Sequence, residues 1–359
     1  MPQSWISGRA AFGRPCVLAA PLAEITDSAF RQVAFECGAD GAVSEMVCAA
    51  GLVRSSRASA ALLSRLPSER GWCAAQLYGH DPAELAAAAR MVAETGAFDA
   101  VDLNAGCPMK RIVSNGDGAA LMLDETLFAR CVEAMARAVS PLPLTVKTRI
   151  GPDPSRPVAA RLARLAAAAG ASAFVVHGRF ASRVHDGPPD WTLVREAVEA
   201  VEIPVVANGG VKSAAGALEA VAATGAAGVM VGRGAVGDPW LFGEIRAAFG
   251  GSPPPRRRAE MTGGEILAAL RRHMELSLEA KKAAAAVLAG GAPAEDFDDG
   301  LRSRPALDPE AAVALDARRH LLNYFRGRPG AAALRRAANS AKTPAEILAA
   351  AEAALAGGG

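Results

Sequence analysis

Cys107 stands between a glycine and a proline in the segment Asn104-Ala105-Gly106-Cys107-Pro108. Those turn-forming neighbours place its thiol in a loop at the end of an apolar run. The other cysteines, Cys16, Cys37, Cys48, Cys73 and Cys131, lie in apolar contexts and read as packing. A loop thiol can serve as nucleophile or as general acid. Lys147 and His177 end two later apolar runs. A buried ammonium needs an anionic or electron-rich partner, either a carboxylate such as Glu45 or a bound anion. For His177 a structural and a functional role weigh equally. Gln76 ends a further run, and a primary amide can hydrogen-bond a planar heterocycle at two points. Asp99 and Asp102 read as turn or structural carboxylates. Asn208-Gly209-Gly210 and Gly232-Arg233-Gly234 are glycine-rich turns. Their backbone N–H groups beside an arginine suit a phosphate monoester, although ordinary turn glycines would look alike. There is no Cys-x-x-Cys and no His-Glu-x-x-His, so no metal is expected.

These residues need elements to hold them. Short apolar runs predict eight strands, at Val17–Ala20, Ala42–Glu45, Cys73–Leu77, Ala100–Asn104, Leu144–Thr148, Ala173–His177, Pro204–Ala207 and Gly228–Gly232. Helix-period segments lie between most of them, as at Pro82–Thr95, Thr126–Val139, Val158–Ala169, Leu193–Val201 and Ala214–Thr224. Asp81 and Ser213 have the positions of N-caps, and Gly96, Gly170 and Gly225 those of C-terminal stops. Eight such units predict a (β/α)8 TIM barrel, with a doubly wound open sheet as the second choice. No Gly-x-Gly-x-x-Gly follows the first strand, which weakens that second choice. In a barrel, chemistry collects at the C-terminal strand ends, and Glu45, Gln76, Asn104, Cys107, Lys147, His177 and the two glycine-rich turns lie at or just past such ends. The two glycine-rich turns follow strands seven and eight, where barrels commonly bind phosphate.

The chain has 359 residues, 51% of them hydrophobic and 21% charged, with a net charge of +2. That excludes a disordered polyelectrolyte. Mean hydropathy is +0.17 and no apolar run has the length of a bilayer span, so no membrane insertion is expected. Met1 to Pro15 lack an apolar signal segment, and the scattered cysteines fit a reducing, cytoplasmic setting. Residues 1–249 form the expected barrel, 250–260 a Pro/Gly-rich linker and 261–359 a small all-helical C-terminal domain. Helices are expected at Gly264–Ala280, Pro309–Phe325, Ala331–Asn339 and Pro344–Leu355, with a mobile loop over 290–306. Arginines number 33 against six lysines. From Ala317 to Ala345 there are seven basic residues, including Arg318 and Arg319, and no acid, a pattern that favours nucleic-acid phosphate.

The segments "AAPLAEITDSAFR", "SEMV", "AAQLYG", "VDLNAGCPMKRIVSNGDGAALM", "LTVKTRIG", "VVHGR", "PVVANGGV" and "VMVGRGAVGDPWLF" resemble the flavin-dependent tRNA-dihydrouridine synthases, and most the bacterial B-type enzymes. The tail "ARRHLLNYFRGRPGAAALRRA" is similar to that family's helical RNA-binding domain. The resemblance implies FMN in the barrel mouth. Pro21, Leu22 and Ala23 would lie along the ring, with Gln76 and Lys147 hydrogen-bonded to it and His177 nearby. Asn208, Gly209, Gly210, Gly232 and Arg233 would hold the phosphate. It implies reduction of tRNA uridine to 5,6-dihydrouridine, with NADPH (or NADH) as reductant and Cys107 as the acid that protonates carbon 5. Asn104, Arg149 and Arg179 would contact the extruded base, and Arg318 and Arg319 the tRNA. A monomer with no metal and no membrane partner is implied. Leu22, Glu24 and the loop "HGRFASRVHDGPPDW" depart from the family pattern, and the last puts substrate contacts there in question. Two competing readings are a flavin barrel acting on a free pyrimidine or small ene substrate, and a catalytically lapsed RNA-binding protein. The basic tail argues against the first, and intact Cys107, Lys147 and Gln76 against the second.

Overall fold

A computed structural model describes residues 13–253, 257–289 and 308–356. The expected loop at 290–306 and positions 254–256 of the expected linker lie outside the described residues. The eight expected strands are present: β1 (Cys16–Ala19), β2 (Gly41–Cys48), β3 (Trp72–Tyr78), β4 (Ala100–Ala105), β5 (Leu144–Arg149), β6 (Ala173–His177), β7 (Val205–Asn208) and β8 (Gly228–Val231). Neighbours in sequence pair in parallel, and β8 pairs with β1, so the sheet is a closed barrel. The largest difference from expectation is β2, which continues to Cys48.

Strand alternation sorts the side chains. One parity of each strand faces helices such as α1 (Pro82–Glu94) and α2 (Glu125–Val139), burying Leu77, Leu85, Val101, Leu103, Phe128 and Met135. The other parity fills the barrel interior with Leu18, Ala74, Ala100, Ala173, Val175, Val206 and Met230. Asp81 caps α1 by accepting from the Ala83 and Glu84 N–H groups. Ser213 caps α3 (Ala214–Thr224), which ends at the left-handed Gly225, as the sequence predicts.

Beyond the barrel come α4 (Gly263–Ala289), α5 (Pro309–Arg319), α6 (Ala331–Ala338) and α7 (Pro344–Ala356). They bury Ile266, Leu270, Met274, Val313, Leu321, Phe325, Leu334 and Ile347 in a core of their own. The single helix expected over Pro309–Phe325 is not continuous. It ends at His320 (φ −140°) and Leu321–Phe325 tighten into a 3-10 turn. There the tail meets the barrel, and tertiary contact overrides the helical pattern. Gly237 (φ +75°) presses its Cα face on the Asn323 backbone, and Arg258 donates to the Tyr324 and Arg326 carbonyls. Lys281 of α4 bridges Asp27 and Asp316, at 3.6 and 2.9 Å.

A Cβ at Gly237 would lie 2.3 Å from the Asn323 carbonyl carbon. The Gly237→Ala variant should therefore lose about 2–4 kcal/mol, from combined overlap and strain. Equilibrium denaturation checks it, and an unchanged midpoint would show that the tail seats differently.

Candidate active site

A cavity of about 330 Å³ opens at the C-terminal ends of all eight strands. That lies at the lower end of the usual small-molecule range of about 300–1,000 Å³. The structure gathers Pro21, Leu22, Ala23, Gln76, Asn104, Cys107, Lys147, Arg149, His177, Arg179, Asn208, Gly209, Gly210, Gly232 and Arg233 around it. Arg318 and Arg319 are not among its lining. Arg318 donates to the Ala341 carbonyl, and Arg319 pairs with Glu24 at 2.7 Å. Both side chains lie on the exposed surface of the helical tail, each with one nitrogen engaged by the protein.

Cys107 sits in a loop held at several points. Its N–H and that of Gly106 donate to Asn104 Oδ1, at 2.9 and 3.1 Å, and its carbonyl accepts from Ala119. Farther along, Asp117 pairs with His80 at 2.8 Å. Arg149 Nε donates to Gly106 O, and Nη1 donates to the Phe180 and Val184 carbonyls. It thereby ties the cysteine loop to the loop after β6. The thiol is half-buried. Burial pushes its pKa up, and the Met109 N–H, Arg149 and Lys147 oppose that only in part. A thiol that keeps its proton at neutral pH suits a proton donor better than a nucleophile.

Lys147 does not pair with Glu45. A register shift in β2 between Val43 and Met46 re-aims the strand, and Glu45 accepts the Glu24 N–H instead. Burial and the neighbouring Asp27 raise Glu45 to about 7. For Lys147, burial and then the Arg149 charge lower the pKa to about 8, against the pull of Asp102 and Cys107. Burial, Lys147 and Arg149 likewise keep His177 neutral.

Gln76 is not free to meet a heterocycle with its whole amide. It is fully buried, donates to Asp102 at 2.7 Å and accepts from Asn104 at 2.8 Å. Asn104 likewise spends its amide on Gln76 and the cysteine loop. Asn208 donates to the Met230 carbonyl. His177 Nδ1 and Arg179 Nη1, in contrast, are buried without a partner. A Cβ on Gly209 would lie 3.2 Å from Cδ2 and Nε2 of His177 and 3.4 Å from Arg179 Nη1. Gly209 (φ +116°) and Gly210 (φ +71°) expose bare backbone beside the His177 ring and the Arg179 guanidinium. Arg179 thus belongs to the glycine cup rather than to the cysteine side of the cavity. A phosphate-bearing ligand fits this set.

Asp102, read from sequence as structural, is buried and hydrogen-bonded to Gln76 and to Thr145, a residue that sequence reasoning did not single out. The signal was present: each lies two residues before a site residue on its own strand, Asn104 and Lys147, and so on the same face. Among the described residues no group of three or more His, Cys, Asp or Glu could hold a metal ion. No helix among them is long and apolar enough to cross a membrane.

A family model described as dihydrouridine synthase (Dus) matches residues 17–288. The chain belongs to the dihydrouridine synthase family. Members of this family are flavin-dependent oxidoreductases. A probable tRNA-dihydrouridine synthase of Rhodobacter capsulatus is 41% identical over 247 residues, 67% of this chain and 74% of that protein. One of Mycobacterium tuberculosis is 35% identical over 343 residues, 92% of this chain and 80% of that protein, so the likeness extends through the helical tail. In this dihydrouridine synthase the cavity joins a thiol whose pKa is raised, a lysine whose pKa is lowered, and a glycine-rich turn beside two buried nitrogens without a protein partner.

The lysine gives a pH signature. Folding lowers Lys147 from 10.5 to about 8, so below pH 8 the folded chain carries a poorly solvated charge that the unfolded chain solvates well. Its cost is relieved as pH rises from about 8 towards 10.5. In flavin-free protein, Lys147→Met should raise Tm at pH 7, and the gain should shrink across that window. Thermal melts at both ends check it; a gain independent of pH would mean that Lys147 is not charged and buried at pH 7.

Proposed function

We propose that this enzyme reduces uridine in tRNA to 5,6-dihydrouridine, using FMN and NADPH. When bound, the reduced flavin supplies a hydride to carbon 6 of the uracil. The chain supplies the rest. Gly209, Gly210, Gly232, Arg179 and Arg233 hold the phosphate end of FMN, and the buried His177 Nδ1 and Lys147 face its polar groups. Lys147, charged beside the cavity, binds electron-rich atoms. Cys107 donates the proton to carbon 5 of the base, and Arg149 keeps its loop in place. The observation that carries this reading is a loop thiol kept protonated and anchored by two backbone N–H groups, in the cavity that also holds the cup. A base stacked in RNA cannot reach such a cavity, so the uridine must be extruded.

The same proposal divides labour between the barrel, through residue 249, and the helices of 261–359, which bind the tRNA. Arg318 and Arg319 are exposed but each already holds a protein partner, so the charges that meet the RNA first are the exposed Arg335, Arg336 and Lys342. A tRNA substrate places the protein in the cytoplasm.

Protein carrying FMN, NADPH and an unmodified tRNA transcript should yield dihydrouridine, read as a gain of two hydrogens by nucleoside mass spectrometry. Cys107→Ala should keep its flavin and slow turnover by about 100-fold or more. Full turnover in that variant would remove Cys107 as the acid. Joint replacement of Arg335, Arg336 and Lys342 by Glu should weaken tRNA binding by at least about tenfold in a filter-binding titration. Unaltered affinity would move the RNA surface elsewhere.

A further inference from the structure

Behind the cavity wall, four side chains form one directed hydrogen-bond chain. Thr145 Oγ1 donates to Asp102 Oδ1. Gln76 Nε2 donates to Asp102 Oδ2 at 2.7 Å, and Asn104 Nδ2 donates to Gln76 Oε1 at 2.8 Å. Asn104 Oδ1 then accepts the Gly106 and Cys107 N–H groups. Asp102 is 1% exposed and Gln76 0%.

The direction of this chain is set at both ends: the loop N–H groups can only donate, and at the far end stands Asp102. An ionised carboxylate only accepts, so the Gln76 amide must offer its NH2 to Asp102 and its oxygen to Asn104. Asn104 must in turn offer its NH2 to Gln76, and only its oxygen is left for the loop. Reversing either amide would set N–H against N–H at a buried contact. Burial raises Asp102 to about 6, while Thr145, Gln76 and the Lys147 charge favour its ionised form. At neutral pH it is therefore chiefly a carboxylate. Asp102 itself does not line the cavity.

We propose that Asp102 is the positioning residue for the Cys107 loop, acting through the enforced amide orientations of Gln76 and Asn104. Its kinetic consequence rests on the reading of Cys107 as proton donor; its structural consequence does not.

A double-mutant cycle tests it. In Asp102→Asn the new NH2 can turn to Thr145, whose hydroxyl reverses and accepts, so the chain survives. In Thr145→Val the carboxylate still receives Gln76. In the double variant the NH2 has no acceptor at position 145 and turns to Gln76. Both amides then reverse, and the loop N–H groups lose their acceptor. The probe is the rate of Cys107 alkylation by iodoacetamide, read by peptide mass spectrometry, together with single-turnover uridine reduction by pre-reduced holoenzyme. Each single variant should change the alkylation rate less than about threefold, and the double variant should raise it at least about tenfold. Uridine reduction should fall in parallel, in the single-turnover rate constant at saturating tRNA rather than in the tRNA concentration that half-saturates it. A double effect equal to the product of the two singles would overturn the proposal. If alkylation follows the cycle and uridine reduction does not, the positioning role stands and the proton-donor reading falls.

Should the double variant fail to fold, the near-isosteric Gln76→Glu decides. A protonated Glu there donates to Asp102 and accepts from Asn104, which preserves the chain; an ionised one faces Asp102 and breaks it. Its Cys107 alkylation, as a ratio to wild type at each pH, should stay near one at about pH 6 and rise at least about fivefold by about pH 9. The ratio removes the pH dependence the wild type already has, and what remains is the titration of the carboxyl pair at positions 76 and 102. A flat ratio overturns the proposal.

Discussion

Closing eight parallel strands into a ring forces alternate side chains of every strand into one shared interior, which has no edge and little room for solvent. Near the N-terminal strand ends the occupants are apolar and mostly small, such as Ala74, Ala100, Ala173 and Val206. The same parity, continued up each strand, delivers Gln76, Asp102, Asn104, Thr145, Lys147, His177 and Asn208 to the other end. A polar group there must find a protein partner or wait for a ligand. The structure contains both kinds. Gln76, Asn104, Asp102 and Thr145 satisfy one another and make a rigid wall. His177 Nδ1 and Arg179 Nη1 are buried without a protein partner.

Charge follows from the same confinement. Lys147, Arg149, Arg179 and Arg233 share one cavity, and burial and mutual repulsion lower the pKa of several of them, Arg149 to about 10. The folded chain holds these cations against their preference for water. The fold's interior is therefore least comfortable at the cavity, where several cations stand together.

The barrel was legible because strand and helix periodicities are local and strong. His177 ends its strand as read, and Asp81 and Ser213 cap as read. The cavity residues were legible because strand ends converge whatever the details. Partnerships were not. Nothing local shows that Arg319 would meet Glu24, 295 residues earlier, or that Arg318 would bond the Ala341 carbonyl. Glu45 missed Lys147 because of a register shift that no composition rule reveals. The break at His320 comes from contact with Gly237, a residue of the barrel. Asp102 was read as structural because it precedes the motif rather than lying in it, although strand alternation already placed it beside Asn104.

Arg326 is bonded to the Val236 carbonyl, and Arg328 to those of Arg258 and Met261, as Arg318 is to that of Ala341. An arginine tied to the protein's own carbonyls keeps its charge but gives up freedom to swing, so each guanidinium stands at a fixed place on the tail surface. Part of the arginine content of the tail is thus mortar: it joins turn to turn by its forked donors, a task that the single ammonium of a lysine does less well.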